Sequence, residues 1–184
     1  MVRTGKTPAA AADDPIGILK DYHRQILRFL KTLNSIVHSD EGFSLSSSHQ
    51  RLLLTAVGSL RGSWPCHNAD EEQSLFPRLN GKVSPEVWRE VDHVRAQHAE
   101  TRRLYELVER ICFRWISEFG LDIQEETQLR LTTDSLQRLL QEHFRTEEVL
   151  IFPSAAEALS AIQMREIAEE FVARRTASPA SLPD

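Results

Sequence analysis

Apolar residues recur along this chain at three- and four-residue steps in four long stretches, and no segment alternates as a strand would. Asp14-Pro15 is a helix start signal, an N-cap carboxylate followed by proline in the first turn. From there Ile16, Leu19, Ile26, Leu30, Leu33 and Val37 draw an apolar stripe on a first helix expected to end near Asp40-Glu41-Gly42. A serine-rich turn follows, and Leu53, Val57, Leu60 and Trp64 mark a second helix running to Pro77, with a kink or loosening predicted near Pro65. Residues 79–83 read as a turn. Ser84-Pro85-Glu86 opens a long third helix through Val87, Val91, Val94, Leu104, Val108 and Ile111, closed by Phe119-Gly120. Asp122 caps a fourth helix whose stripe is Leu129, Leu136, Leu139 and Leu140, continuing to Pro153, and residues 155–172 suggest a shorter fifth. Residues 1–13 and 176–184 lack periodicity and are expected to be disordered tails around one helical domain, 14–175. Four long amphipathic helices with short connections predict an all-α, up-down-up-down four-helix bundle with a short additional C-terminal helix.

Composition narrows the function classes. At 184 residues the chain is long enough for one well-buried core and short for two. A formal charge of −5, with acidic residues interspersed nearly everywhere, argues against a nucleic-acid partner, whose phosphates need clustered cations. No apolar run approaches the roughly 20 residues that span a bilayer, and residues 1–14 lack the apolar middle of a secretory signal, so no membrane association and a cytoplasmic location are expected. Cys66 and Cys112 are too few for a disulfide framework or a thiolate metal site, and read as small apolar residues.

The strongest chemical signal is a motif that occurs twice. His67-Asn-Ala-Asp-Glu71-Glu72-Gln-Ser-Leu75-Phe76-Pro77 matches His143-Phe-Arg-Thr-Glu147-Glu148-Val-Leu-Ile151-Phe152-Pro153, both reading His-x3-Glu-Glu-x2-(Leu/Ile)-Phe-Pro. Histidine and glutamate four apart share one helix face, so each motif directs an imidazole and a carboxylate at one point, which is metal-ligand spacing. The apolar stripes put both histidines inward. His23 sits between Leu19 and Ile26 on the first stripe, and His98 lies in line with Val91, Val94, Thr101 and Tyr105 on the third.

Height along the bundle gives an independent check. At about 1.5 Å rise per residue, His23 is roughly 12 Å from its helix start, His67 and His143 roughly 15 Å from their prolines, and His98 roughly 20 Å from Pro85. In an up-down-up-down bundle these ends coincide, so the four histidines converge at one level. His38 and His49 flank the opposite end and read as surface residues; His93 has the right height but is rotated about 140° from His98, and is the reserve candidate. A lone inward histidine is more often a hydrogen-bonded core residue than a ligand. The set is different: four imidazoles and two carboxylates buried without counter-charge cost several kcal/mol per carboxylate, and one or two cations supply it. His23, His67, Glu71, His98, His143 and Glu147 are therefore the expected metal ligands. Glu72 and Glu148 are expected outside the coordination sphere, and Phe76-Pro77 and Phe152-Pro153 are expected to pack and terminate helices.

Mixed imidazole and carboxylate donors suit iron or manganese better than structural zinc, and six donors suggest two ions. The paired motifs, with His23 and His98 at their spacings, resemble the hemerythrin-like, or HHE cation-binding, family over residues 14–155. The resemblance implies two iron ions (Fe2+/Fe3+), oxo- or hydroxo-bridged, in a four-helix bundle that interacts with dioxygen or nitric oxide, with those six residues at the family's ligand positions. The chain departs from the oxygen-carrying members in two ways. Val94 and Arg102 stand four residues either side of His98, where a His-x3-His pair would need a second histidine, and Glu148 stands where those members place an aspartate. These departures favour sensing, iron handling or redox chemistry over pure oxygen carriage.

The leading expectation is thus a binding or sensing protein for a small diatomic ligand (O2 or NO), not an enzyme, whose signal leaves through a protein partner, a homo-oligomer or the fifth helix. The competing readings are a di-iron peroxidase or oxidase, an iron donor in iron-sulfur cluster repair, and a metal-free helical scaffold.

Overall fold

The computed structural model describes residues 14–39, 45–118 and 120–177, with the backbone alone described at 177. Five helical segments account for nearly all of them. Helix α1 is Pro15–Ser39. Helix α2 spans 47–79, as an α-helix Ser47–Asp70, a π-helical turn Glu71–Leu75 and a final α turn Phe76–Leu79. Helix α3 is Pro85–Glu118. Helix α4 spans 123–158 and repeats the α2 plan, with α-helix Ile123–Thr146, π turn Glu147–Ile151 and α-helix Phe152–Ala158. Helix α5 is Ala161–Ala177. Among the described residues there is no strand, and no helix long and apolar enough to cross a membrane.

Side-chain caps set the starts. Asp14 Oδ1 accepts from Gly17 N–H at 2.9 Å, Ser46 Oγ from His49 N–H at 3.1 Å, and Ser84 Oγ from Val87 N–H at 3.4 Å. Asp122 forms a reciprocal capping box with Glu125 at the head of α4. Between α2 and α3, Lys82 N–H closes a turn onto Leu79 O, and the positive φ of Gly81 (71°) is a conformation that glycine adopts without strain.

Four sequence expectations change. The α-helical conformation runs through Gly62 and Pro65, and the departure from it comes at Glu71 instead. Helices α2 and α4 do not stop at Pro77 and Pro153, because a π turn precedes each proline. Phe76 N–H bonds to Glu71 O and Phe152 N–H to Glu147 O, five residues back, and the wider turn accommodates a ring whose missing N–H would otherwise break the helix. The fifth helix accordingly begins at Ala161, not near 155. It also takes in Thr176 and Ala177; the expected tails at 1–13 and 178–184, the end of the first helix near 40–42 and Phe119 lie outside the described residues.

Helix α1 packs on α2 and α4, and α3 on α4 and α2, while α5 lies against α1 and α2. The interior holds two apolar clusters, one around Leu33, Val57, Leu60, Val108, Leu129 and Leu136, the other around Leu75, Phe76, Leu79, Val91, Phe152 and Phe171. Each of the first four helices contributes to both. Fully burying one such leucine contributes about 2 kcal/mol, so the polar layer between the clusters is held between two strongly favourable packings.

Candidate metal centre

That layer is where the six expected side chains meet. His23 stands between Leu19 of one cluster and Ile26 of the other, and His98 between Val94 and Tyr105; His67 and His143 follow Trp64 and Leu140, while Leu75 and Ile151 follow Glu71 and Glu147. All six are buried. They form two four-residue groups whose donor atoms lie within 4.8 Å of one another: His23, His67, Glu71 and Glu147, and Glu71, His98, His143 and Glu147. Both glutamates belong to both groups. Glu147 presents Oε1 to His143 Nε2 at 3.1 Å and Oε2 to His23 Nε2 at 3.2 Å, one oxygen to each group. Glu71 Oε2 lies 3.5 Å from His67 Nε2 and 3.4 Å from His98 Nε2.

These are spacings without hydrogen bonds. Nε2 of all four histidines and both oxygens of Glu71 and Glu147 are buried with no hydrogen-bond partner. Buried polar atoms are almost always satisfied, so so many orphans facing one another call for an occupant that accepts several lone pairs at once. Metal–donor bonds of about 2.1 Å place neighbouring donors on an octahedron about 3 Å apart, close to the separations found here. The donor set fits cations.

Electrostatics agree. Burial, reinforced by neighbouring Glu147, pushes the Glu71 carboxyl well above its ordinary range. For Glu147 burial acts in the same sense but is overcome by the attraction of His143 and His23, which hold it well below the ordinary range. Burial, aided by the other imidazoles, holds His67 well below its ordinary value, and burial with His143 lowers His98. The centre therefore gathers two imidazoles, His67 and His98, held toward the neutral form, one carboxylate that favours its charge and one that favours a proton. A dication would exchange for that proton.

Three of the imidazoles are held from behind. His23 Nδ1 pairs with Glu148 Oε1 at 2.7 Å, His98 Nδ1 with Glu72 Oε1 at 2.6 Å and His143 Nδ1 with Gln97 Oε1 at 2.9 Å. Each contact fixes the tautomer that leaves the Nε2 lone pair directed inward. Glu72 and Glu148, each 40% exposed, thus touch the outer ring nitrogens of His98 and His23. His93 stays outside: it is exposed and pairs with Gln97 Nε2 at 3.0 Å. His38 is exposed beside Asp134, and His49 sits in the first turn of α2. Gln97 escaped the sequence reading, since its four-residue spacing from His93 reads as an ordinary helix pair.

Aromatic rings close the layer. The Phe144 ring stacks on His23 at 3.9 Å between centroids, and Trp64 lies 5.6 Å from His67, 6.1 Å from His143 and 6.2 Å from His98. Tyr105, by contrast, places its hydroxyl against Val57 O and Glu109. Cys112 is buried, its thiol pushed up to about 12, chiefly by burial, and is inert.

A helical protein with a buried imidazole and carboxylate layer suited to cations belongs to the metal-binding helical proteins. The family model described as Hemerythrin HHE cation binding domain matches residues 14–118, more than half of the 184, and the chain belongs to that family. No curated protein and no solved structure matches. The matched stretch carries His23, His67, Glu71 and His98; His143 and Glu147 lie beyond it and join them by the geometry above.

Proposed function

We propose that this chain is a non-haem di-iron protein that binds or senses dioxygen or nitric oxide. The observation that carries the reading is the pair of four-donor groups sharing both glutamates, the arrangement that two adjacent ions bridged by carboxylates require. One ion would be held by His23 and His67 and the other by His98 and His143, with Glu71 and Glu147 belonging to both donor groups. The up-down-up-down order of the bundle belongs to the same reading. It is supported by the succession of apolar clusters, which α1 and α3 cross in one order and α2 and α4 in the other.

Ferrous ions held there would supply the electrons for binding a diatomic ligand. The chain's residues supply the rest. Glu148, Glu72 and Gln97 keep three imidazoles in the binding tautomer, while the rings of Phe144, Trp64, Phe76 and Phe152 pack against the histidines and shield them from bulk water. Iron analysis with an absorption spectrum of the oxidised protein tests nuclearity and bridge together. Mixing the ferrous protein rapidly with dioxygen or nitric oxide tests the ligand, and an unchanged spectrum with both would overturn the sensing role.

A further inference from the structure

Helix α5 lies beyond the stretch matched by the family model, yet it grips the metal layer from outside. Asp70 immediately precedes Glu71, and its carboxylate is 1% exposed. It accepts from the guanidinium groups of both Arg174 and Arg175, whose side chains are 20% and 25% exposed. Arg174 also donates to Ser74 Oγ at 2.9 Å, inside the π turn. Arg175 Nε donates to Tyr22 OH at 2.7 Å, and its guanidinium lies 4.9 Å above the Tyr22 ring. Tyr22 in turn precedes His23 and sits 6.4 Å from the His67 ring. Two adjacent arginines thus hold the chain neighbours of Glu71 and of His23, on two different helices.

The repeated motif supplies an internal control. Thr146 and Leu150 occupy in α4 the places of Asp70 and Ser74 in α2, and Leu150 is exposed. The polar pair therefore belongs to the first copy alone, the copy that α5 covers. Nearly buried ion pairs contribute little net stability, because desolvation offsets their attraction, so the conformation they enforce is their main effect.

We infer that Arg174 and Arg175 are positioning residues of the metal centre, fixing Glu71 through Asp70 and His23 through Tyr22, so that filling the centre and docking α5 favour each other. The inference rests on the metal reading above. Linkage then makes the effect reciprocal: whatever α5 docking adds to metal affinity, bound metal adds to α5 docking.

The test uses the full chain, with cobalt(II) as a spectroscopic probe and ferrous iron under argon. In the unaltered protein, metal loading should slow amide exchange across 161–177. The Arg174→Ala/Arg175→Ala variant should bind metal roughly tenfold or more weakly, with shifted cobalt absorption bands. The Arg174→Lys/Arg175→Lys variant, which keeps the charge, should recover part of both. Wild-type affinity and bands in the alanine variant, or exchange in 161–177 that ignores loading, would overturn the inference. Should the alanine variant fail to fold, the exchange measurement on the unaltered chain decides alone. A chain that takes up neither cobalt nor iron defeats the metal reading itself, whereas one that fills normally but leaves α5 indifferent defeats only this inference.

Discussion

Glu148 on α4 holds His23 on α1 through a 2.7 Å contact at Nδ1, orienting an imidazole that its own motif does not contain. Glu72 does the same for His98 on α3 at 2.6 Å. The second glutamate of each motif therefore serves a helix that lacks the motif, and the doubled Glu-Glu divides its work: one carboxylate points inward, the other secures a neighbour. Glu148→Ala or Glu72→Ala should lower metal affinity about 10- to 100-fold while leaving helix content unchanged. Competition with a chelator of known affinity measures the first and far-UV circular dichroism the second.

Glu147 offers a separate oxygen to each histidine pair. Glu147→Ala should therefore remove more than one donor's worth of binding, leaving at most one metal ion per chain where the proposed centre calls for two. Metal analysis by mass spectrometry after desalting reads the ratio directly. A variant that still holds two ions would show that Glu147 does not span them.

Protonation and metal compete for the same lone pairs. The Glu71 pKa is raised above its ordinary 4.5 in the metal-free fold, so this group favours the folded metal-free chain at low pH, and that contribution is lost as pH rises toward the raised value. His67 and His98 are lowered from 6.5, so the metal-free fold loses stability as pH falls below that value and the unfolded chain takes up protons. Bound metal removes the Glu71 penalty at high pH and is itself displaced by protons at low pH. The difference in Tm between loaded and metal-free protein should thus widen from about pH 5 to about pH 8, a trend that scanning calorimetry at fixed metal excess follows. At metal about 100-fold above Kd, the stabilisation near neutral pH should be about 2.7 kcal/mol, or roughly 5–10 °C.

Phe144 is 3% exposed and lies flat on His23. Phe144→Ala should destabilise the fold by about 3–5 kcal/mol through the cavity it leaves, measurable by urea unfolding of the metal-free protein. Phe144→Leu, which retains most of the volume, should cost less than half as much if packing is the main contribution.

Much of this was legible in the residues themselves. The inward positions of His23, His67, His98 and His143 follow from their phase with flanking apolar residues, and that phase survives because each helix must bury the same stripe above and below the layer. The continuation of α2 and α4 past Pro77 and Pro153 was not legible, since proline normally ends an α-helix and only a π turn ahead of it removes the conflict. Gln97 and the Asp70–Arg174–Arg175 cluster were equally hidden. They join residues 46 and about a hundred positions apart, and polar side chains at single helical positions carry no period from which a partner could be read.

Each π turn has a further consequence for the history and redesign of this architecture. A five-residue backbone ring is an α-helix carrying one surplus residue, so the stripes on either side stay in phase only because the surplus is bulged out. Deleting a single residue from 72–74, and another from 148–150, would heal both helices while Leu79 and Ala155 still faced inward. The two apolar clusters would then stay in register while the wide turns that carry the doubled glutamates closed, so the packing of this fold and the shape of its polar layer can be altered separately.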